Sequence, residues 1–367
     1  MILDETAAQD ERNRRYAALA AHEGLLPVKV PPFYRRKVEA EVQALGGHFG
    51  PLARVVLPDE ARIGLRVSGE VPDFVADRTN MPTGGAGSGE DALIRKYRDR
   101  LLFAPTSVCA GHCLYCFRQD LLGDLHGRED HAFSGRTEAL RARLMVEPEV
   151  REVILSGGDP LTLPANALAA ILATIEGFPH LHPARLHTRA PVFQPKSLSP
   201  AKIEALARHG ARVVLHVVHP YELCPEVEDL IGRLRRAGLR LYNQFPLLRG
   251  VNDHPAVLAR LLERLDDLHV RNLSIFVPEP ITGSATYRLA YDRILALWRA
   301  LSWSNPSWIT ATRLALDTPF GKVRPEDEIA RENGHILFRR EGRTIRYPDF
   351  PQEHDRPGQI ETLLWRE

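Results

Sequence analysis

Past residue 100 the chain alternates between two hydrophobic rhythms. Short apolar runs bounded by turn residues recur as RLLFAPTS (100–107), VREVILS (150–156), ARLHTRA (184–190), ARVVLHVV (211–218), LRLYNQFPLL (239–248) and VRNLSIFV (270–277). Each reads as a strand, ARVVLHVV as a buried one. Between them lie stretches with apolar residues three and four apart: NALAAILATIEG (166–177), SPAKIEALARHG (199–210), PEVEDLIGRLRRAG (225–238), HPAVLARLLERLDDL (254–268) and TYRLAYDRILALWRALS (286–302). These read as amphipathic helices, and SPAKIEALARHG has a serine near its start and a glycine at its end. Six strands alternating with helices over short connections predict an α/β fold with a parallel sheet and helices outside. In such sheets chemistry collects at the C-terminal ends of the strands.

The flanks read differently. Residues 5–23 and 33–46 predict two helices, stopped by Pro27, Pro31 and Pro32 and by Gly46 and Gly47. From Gly50 to Gly89 the text is rich in proline and glycine and ends in PTGGAGSG, as a wrapping arm would. The tail HILFRREGRTIRYPDF (335–350) predicts a hairpin turning at Gly342. The chain thus divides into an N-terminal helical and wrapping arm (1–90), an alternating βα region (91–305) and a C-terminal extension (306–367).

Composition adds exclusions. At 44% hydrophobic and 26% charged, the chain is neither disordered nor a disulfide scaffold. Its 48 basic and 47 acidic residues leave a net charge of +1, so charge gives no reason to expect nucleic acid or a membrane surface as a partner. The first residues lack a signal-type apolar core and no window is long enough to span a bilayer, so a cytoplasmic protein is expected.

The candidate chemistry begins with cysteine. Three of the four cysteines, Cys109, Cys113 and Cys116, fall within eight residues as CxxxCxxC, after the first predicted strand. Three thiolates on one loop suit three corners of a [4Fe–4S] cluster and leave one iron open. Zinc is the competing reading, with His112 as a fourth ligand. A non-catalytic iron–sulfur carrier is another. GGDP (157–160) follows the next strand, where glycines bring the backbone close to a ligand at the sheet edge. His187, His216, His219, Gln244 and Glu279 also lie at or after strand ends.

CxxxCxxC with an aromatic before the last cysteine, at the end of a first barrel strand, resembles the radical S-adenosylmethionine (SAM) superfamily. LIRKYRDRLLF, LSGGDPL, HVVHPYE, NQFPLLRGVND and LALDTPFGK, taken in order, resemble the lysine 2,3-aminomutase family within it, over most of the chain from about residue 27. The resemblance implies a partial (β/α)6 TIM-like barrel. It implies an isomerase that cleaves SAM at a [4Fe–4S] cluster, forms a 5′-deoxyadenosyl radical and moves the α-amino group of a basic amino acid to the β-carbon with the help of pyridoxal 5′-phosphate (PLP).

The resemblance also implies the following roles, carried over position by position. Cys109, Cys113 and Cys116 hold the cluster; Ser156, Gly157, Gly158, Asp159, Arg118, His216 and Gln244 contact SAM. Lys322 carries PLP, although the loop before it is shorter than in the family and contains Phe320; Arg100, Lys96 and Tyr97 surround PLP, with Lys96 where the family often has arginine. Glu279 and Asp317 match two acidic residues that hold the substrate's distal ammonium, and two acids together call for a cation between them. Lysine, ornithine, arginine and hydroxylated lysine all satisfy that requirement. The resemblance further implies a homo-oligomer and an electron donor such as flavodoxin or ferredoxin. With no cysteine beyond Cys224, a C-terminal zinc site of the kind some relatives carry is not expected. Same-family alternatives are desaturation, dehydration or epimerisation, with or without PLP, and β-lysine formation on elongation factor P.

Overall fold

The computed structural model describes residues 2–81, 92–125 and 134–366. The PTGGAGSG end of the arm lies outside these described residues. Strands β1 (Leu93–Tyr97) and β2 (Arg100–Phe103) pair antiparallel. From β2 the sheet continues in parallel through β3 (Glu152–Leu155), β4 (Arg185–Thr188), β5 (Arg212–Leu215), β6 (Arg240–Pro246), β7 (Arg271–Val277) and β8 (Arg313–Leu316). Sequence order and spatial order coincide from β1 to β8. Two strands exceed the six predicted. β1 is LIRKY, too polar to stand out, and β8 is the four-residue RLAL opening the LALDTP motif.

Helices fill the crossovers, and local chemistry fixes where they begin. Pro200–Arg208, Pro225–Arg236 and Pro255–Asp267 each carry proline in the first turn, where no N–H is needed. Ser199 caps the first of these, its hydroxyl accepting from the Lys202 N–H at 3.4 Å.

Alternation along the strands separates the two faces of the sheet. Leu101, Phe103, Val153, Leu155 and Leu186 are fully buried and share one apolar cluster with Leu140, Leu168, Ile171 and Leu206 of the helices. Each such side chain contributes about 1.5–3 kcal/mol. The intervening residues Arg100, Leu102, Glu152, Ile154, Arg185 and His187 stay partly accessible. They line the inner face, and the site grows on that face.

The sheet curls until its two edges touch through side chains. Lys96 of β1 lies 3.0 Å from Asp317, just past β8, and the Lys322 N–H donates to the Tyr97 hydroxyl at 3.1 Å. No backbone pairing joins β1 to β8 among the described residues. The barrel is therefore partial and laced at its seam by charge.

The N-terminal segment forms helices Ile2–Glu23, Pro32–Ala44, Pro51–Val56 and Glu60–Gly64, the last two within the stretch the sequence showed as irregular. Tyr34 donates to Glu222 at 2.7 Å, and the buried Arg62 donates to Gly283 O at 2.6 Å and to Gln119 at 3.1 Å. The C-terminal extension forms a three-stranded sheet of β9 (Glu328–Glu332), β10 (His335–Arg340) and β11 (Arg343–Pro348). Glu341 and Gly342 make the predicted two-residue turn with φ of 49° and 77°. Tyr347 fastens this sheet to the end of β7 by donating to Pro278 O at 3.0 Å.

Candidate active site

The cysteine loop leaves β2 and is held by the arm. The His112 N–H donates to Lys29 O at 2.9 Å, the Leu114 N–H to Val55 O at 2.9 Å, and Lys29 Nζ to Cys109 O at 2.7 Å. Gly111 permits this approach, because a Cβ there would lie 2.7 Å from Pro31 Cδ and 3.1 Å from Lys29 O. His112 is buried, with Nδ1 2.7 Å from Pro27 O. This bond ties its ring to the arm.

Next to this loop stands the GGDP turn. The Gly158 N–H donates to Thr106 O and the Asp159 N–H to Val108 O, both at 2.9 Å. A Cβ on Gly157 would lie 2.5 Å from Ala104 Cβ, and one on Gly158 2.5 Å from Ser107 C. The two glycines pack closely against residues 104–108. Asp159 is bound into the same turn. Its buried carboxylate accepts from Thr188 Oγ1 at 2.8 Å and from the N–H groups of Leu161, Arg189 and Ala190 at 3.0, 2.8 and 2.7 Å. With its lone pairs so engaged, the carboxylate organises the turn.

The other residues assigned to SAM converge. Arg118 donates to Ser156 Oγ at 3.1 Å and to Asp77 at 2.8 Å. His216 Nε2 lies 3.0 Å from the Tyr115 hydroxyl, with the two rings stacked at 5.7 Å. Gln244 Nε2 lies 3.1 Å from His187 Nδ1. His219, by contrast, is a fully buried cap whose Nδ1 accepts from the Tyr221 N–H at 3.2 Å.

At the seam, Asp317 is shared by two lysines: Lys96 Nζ lies 3.0 Å from one oxygen and Lys322 Nζ 3.2 Å from the other. The Lys322 ammonium also sits 5.3 Å from the Phe276 ring centroid and 5.8 Å from that of Tyr97. Gly321, at φ +103°, makes the turn, since a Cβ would lie 3.1 Å from the Tyr97 ring. Phe320 turns outward under Arg343, and Lys322, its side chain 42% exposed, reaches Asp317. Lys96 is paired with Asp317. Arg100 is forked onto Asp99 at 3.0 and 3.1 Å and lies 4.7 Å from the Tyr97 ring centroid, outside the ion-paired group.

Residues 103–262 match the family model of the Radical SAM superfamily. Over these residues the chain is similar to the radical SAM superfamily. Its curated relatives include a putative L-lysine 2,3-aminomutase of Aquifex aeolicus, 28% identical over 302 residues, which cover 82% of this chain and 77% of that one. The L-lysine 2,3-aminomutase of Escherichia coli is 29% identical over 279 residues, 76% of each chain. A putative L-lysine 2,3-aminomutase of Treponema pallidum is 31% identical over 233 residues, 62% of this chain and 64% of that one. A solved radical SAM methyltransferase from Sphaerobacter thermophilus overlaps 61% of this chain and 68% of its own, with a TM-score of 0.44 and 18% identity.

Likeness to the radical SAM superfamily implies a [4Fe–4S] cluster and SAM, and the donor set fits. The three cysteines act on one another electrostatically; burial and its neighbour Cys113 push the Cys116 thiol up to about 12. Thiols held this far up stay protonated until a metal displaces the proton. Burial also raises the Cys113 thiol, opposed by Arg189 and by the Tyr115 hydroxyl. Among the described residues no three His, Cys, Asp or Glu side chains converge on a single ion.

Charge at the seam is uneven. Burial and the nearby Asp317 push Glu279 up to about 7. Asp317 stays at about 2 because Lys322 and Lys96 outweigh its burial. The same Asp317 outweighs burial at Lys322 and raises its pKa. Glu279 also acts on Cys116, so the seam and the cysteine loop lie within electrostatic reach of each other.

Sequence reasoning missed three groups that build this site. Asp77 orients Arg118 from inside the irregular arm, where nothing marked it. Arg189 and Glu222 form a buried pair at 2.5 Å, and Arg189 donates to His216 O at 2.7 Å. His187 was noted as a strand-end residue but given no role. The adjacency of Arg189 to a strand end, and the HPYE motif holding Glu222, were the signals available. No helix among the described residues is long and apolar enough to cross a membrane.

Proposed function

We propose that this radical SAM enzyme is a PLP-dependent 2,3-aminomutase of a free basic α-amino acid. One observation carries the reading: the Lys322 ammonium lies in an acid-lined seam within electrostatic reach of the cysteine loop. The names of the relatives point the same way. Cys109, Cys113 and Cys116 would hold the cluster, and Arg118, Ser156, His216 and Gln244 would hold SAM. When bound, PLP supplies a conjugated system across which an amino group can migrate beside a carbon radical.

This chain's own residues prepare that chemistry. Lys322 must lose a proton before it can carry PLP, and Asp317, 3.2 Å away, opposes that loss until the ion pair is broken. Lys96 remains on the other oxygen of Asp317, so the carboxylate keeps a counter-charge throughout. With Asp317 thus committed, Glu279 is the acid left for the substrate's distal cation. Held at about 7, it becomes fully ionised when an ammonium or guanidinium arrives beside it. That selects lysine, ornithine or arginine over glutamate. An electron donor of the flavodoxin or ferredoxin class would reduce the cluster, and association into a homo-oligomer is part of the same reading.

One observation favours a second reading, in which the cluster and SAM act on a basic amino acid without PLP: Lys322 is held protonated by Asp317. A single experiment separates the two. Anaerobically reconstituted protein is incubated with SAM, PLP and a panel of basic amino acids, products are read by NMR and mass spectrometry, and bound PLP is fixed with borohydride. The proposal expects a β-amino acid and a pyridoxyl group on Lys322. Product without any trapped pyridoxyl group supports the second reading, and trapping on Lys96 overturns the assignment of Lys322.

A further inference from the structure

His187 stands on the inner face of β4, on the same side as Arg185, two residues away and partly accessible from within the barrel. One of its ring nitrogens is spoken for. Gln244 Nε2 lies 3.1 Å from Nδ1; an amide nitrogen can only donate, so Nδ1 accepts and the ring proton resides on Nε2. That Nε2–H is buried and has no partner. Its surroundings are cationic or neutral: Arg185, Arg118, Lys322 and His216 all act on this ring, and burial together with them keeps it uncharged. A buried donor left without an acceptor, among groups that exclude a second positive charge, is built for an incoming oxyanion.

We propose that His187 is a ligand-positioning residue whose Nε2–H donates to an oxyanion of the bound ligand. This rests on the reading above, in which an amino acid and PLP meet at this end of the sheet. Two oxyanions share the required chemistry, the α-carboxylate of the amino acid and an oxygen of PLP. Gln244 then has a second task besides SAM. By holding Nδ1 as an acceptor it fixes the tautomer that presents the donor.

The test uses the full chain, reconstituted anaerobically. His187→Phe keeps a planar ring and removes the donor; His187→Gln keeps a donor. Cluster content and the SAM-induced change in the EPR spectrum report that each variant is intact. If the acceptor is the α-carboxylate, His187→Phe raises KM for the amino acid on the order of 10–100-fold with kcat less affected, as expected for a lost bond to a charged group. Wild type then discriminates against the substrate carboxamide and His187→Phe does not. If the acceptor is on PLP, the PLP dissociation constant from absorbance titration rises instead and the acid-to-amide ratio is unchanged. In both cases His187→Gln recovers most of the loss. Constants within twofold of wild type in His187→Phe, or equal losses in the Phe and Gln variants, overturn the inference. Should His187→Phe not take up the cluster, His187→Gln decides: retained acid-to-amide discrimination or retained PLP affinity supports the role, and loss of both overturns it. Wild type that binds SAM but neither PLP nor amino acid defeats the functional reading and this inference together, and that failure is visible before any variant is made.

Discussion

The cysteine loop and the lysine seam lie within electrostatic reach of each other but are held by different forces. The loop is held by main chain: Lys29 O and Val55 O each accept one of its N–H groups, and Gly111 lets the arm come within van der Waals range. The seam is held by side-chain charge, with one carboxylate between two ammonium groups and a second acid nearby. Backbone hydrogen bonds do not titrate, whereas ion pairs can be reset by a proton or an incoming ligand. The difference suits the proposed division of labour. The cluster must stay fixed while SAM is cleaved, and the seam must change partners when PLP and substrate arrive.

The largest effect should come from breaking the rigid side outright. Cys113→Ala leaves two thiolates for the cluster, so iron content and SAM cleavage in the reconstituted variant should fall to background. The fold should persist, because the loop's backbone contacts do not involve the Cys113 side chain. Full iron loading of Cys113→Ala would contradict the three-thiolate assignment.

On the other side, Asp317→Asn removes the charge that holds two lysines. Lys96 is only 9% exposed and would be left without its counter-ion. Breaking such a pair by deleting one partner costs about 3–5 kcal/mol, to be read as a drop in Cm or Tm. Freed of Asp317, Lys322 loses its proton more readily. Borohydride trapping of PLP should therefore begin at lower pH than in wild type, and a midpoint that does not move would separate Asp317 from the chemistry of Lys322.

The sequence showed the first of these regions far better than the second. CxxxCxxC is local, and a loop's ligand set survives in its spacing. The βα rhythm was equally local, because alternation on strands such as RLHT and the helical spacing of PAVLARLLERLDD each express which face is buried. What stayed hidden depends on chain closure. Nothing near Lys96 shows that it will meet a residue 221 positions away, and nothing near Asp159 shows that Thr188, Arg189 and Ala190 will consume its lone pairs. Motif resemblance put Asp317 and Lys96 in one neighbourhood but gave them separate ligands; the fold pairs them with each other. His187 escaped a role for the same reason, since an unpaired nitrogen is defined only once every neighbour is in place.

A smaller effect should distinguish the two acids of the seam. Glu279 is raised from its ordinary value to about 7, by burial first and Asp317 second. A carboxyl with a raised folded-state value stabilises the fold fully below its unfolded pKa near 4.5, and that contribution is lost as pH rises through about 7. Glu279→Gln has no such loss. The ligand-free variant should match wild type in Tm near pH 4 and exceed it at pH 8, by up to about 3 kcal/mol when converted at 1.36 kcal/mol per pKa unit. A basic amino acid at saturating concentration should narrow the gap, since it supplies Glu279 with a cation in wild type alone. A Tm difference independent of pH would mean that Glu279 is already paired.

The least disruptive substitution asks whether the loop's rigidity depends on the arm. Gly111→Ala adds one methyl group where Pro31 Cδ would lie 2.7 Å away and Phe193 Cδ2 3.2 Å away. Neither neighbour can yield freely, because a proline ring is fixed and Phe193 is buried against Tyr34 with ring centroids 5.0 Å apart. Overpacking of this kind costs about 1–3 kcal/mol. Gly64→Ala is the matched control: it closes the helix Glu60–Gly64, its φ is not in the left-handed region, and its Cβ would meet nothing within 4 Å. If the arm holds the cluster loop, Gly111→Ala should lower Tm and slow iron uptake together while leaving the pH dependence at Glu279 unchanged, and Gly64→Ala should change none of the three. Loss of stability without any change in cluster assembly would show that the arm braces the barrel but does not shape the cysteine loop, and the contrast between a backbone-held loop and a charge-held seam would then rest on the thiolates alone.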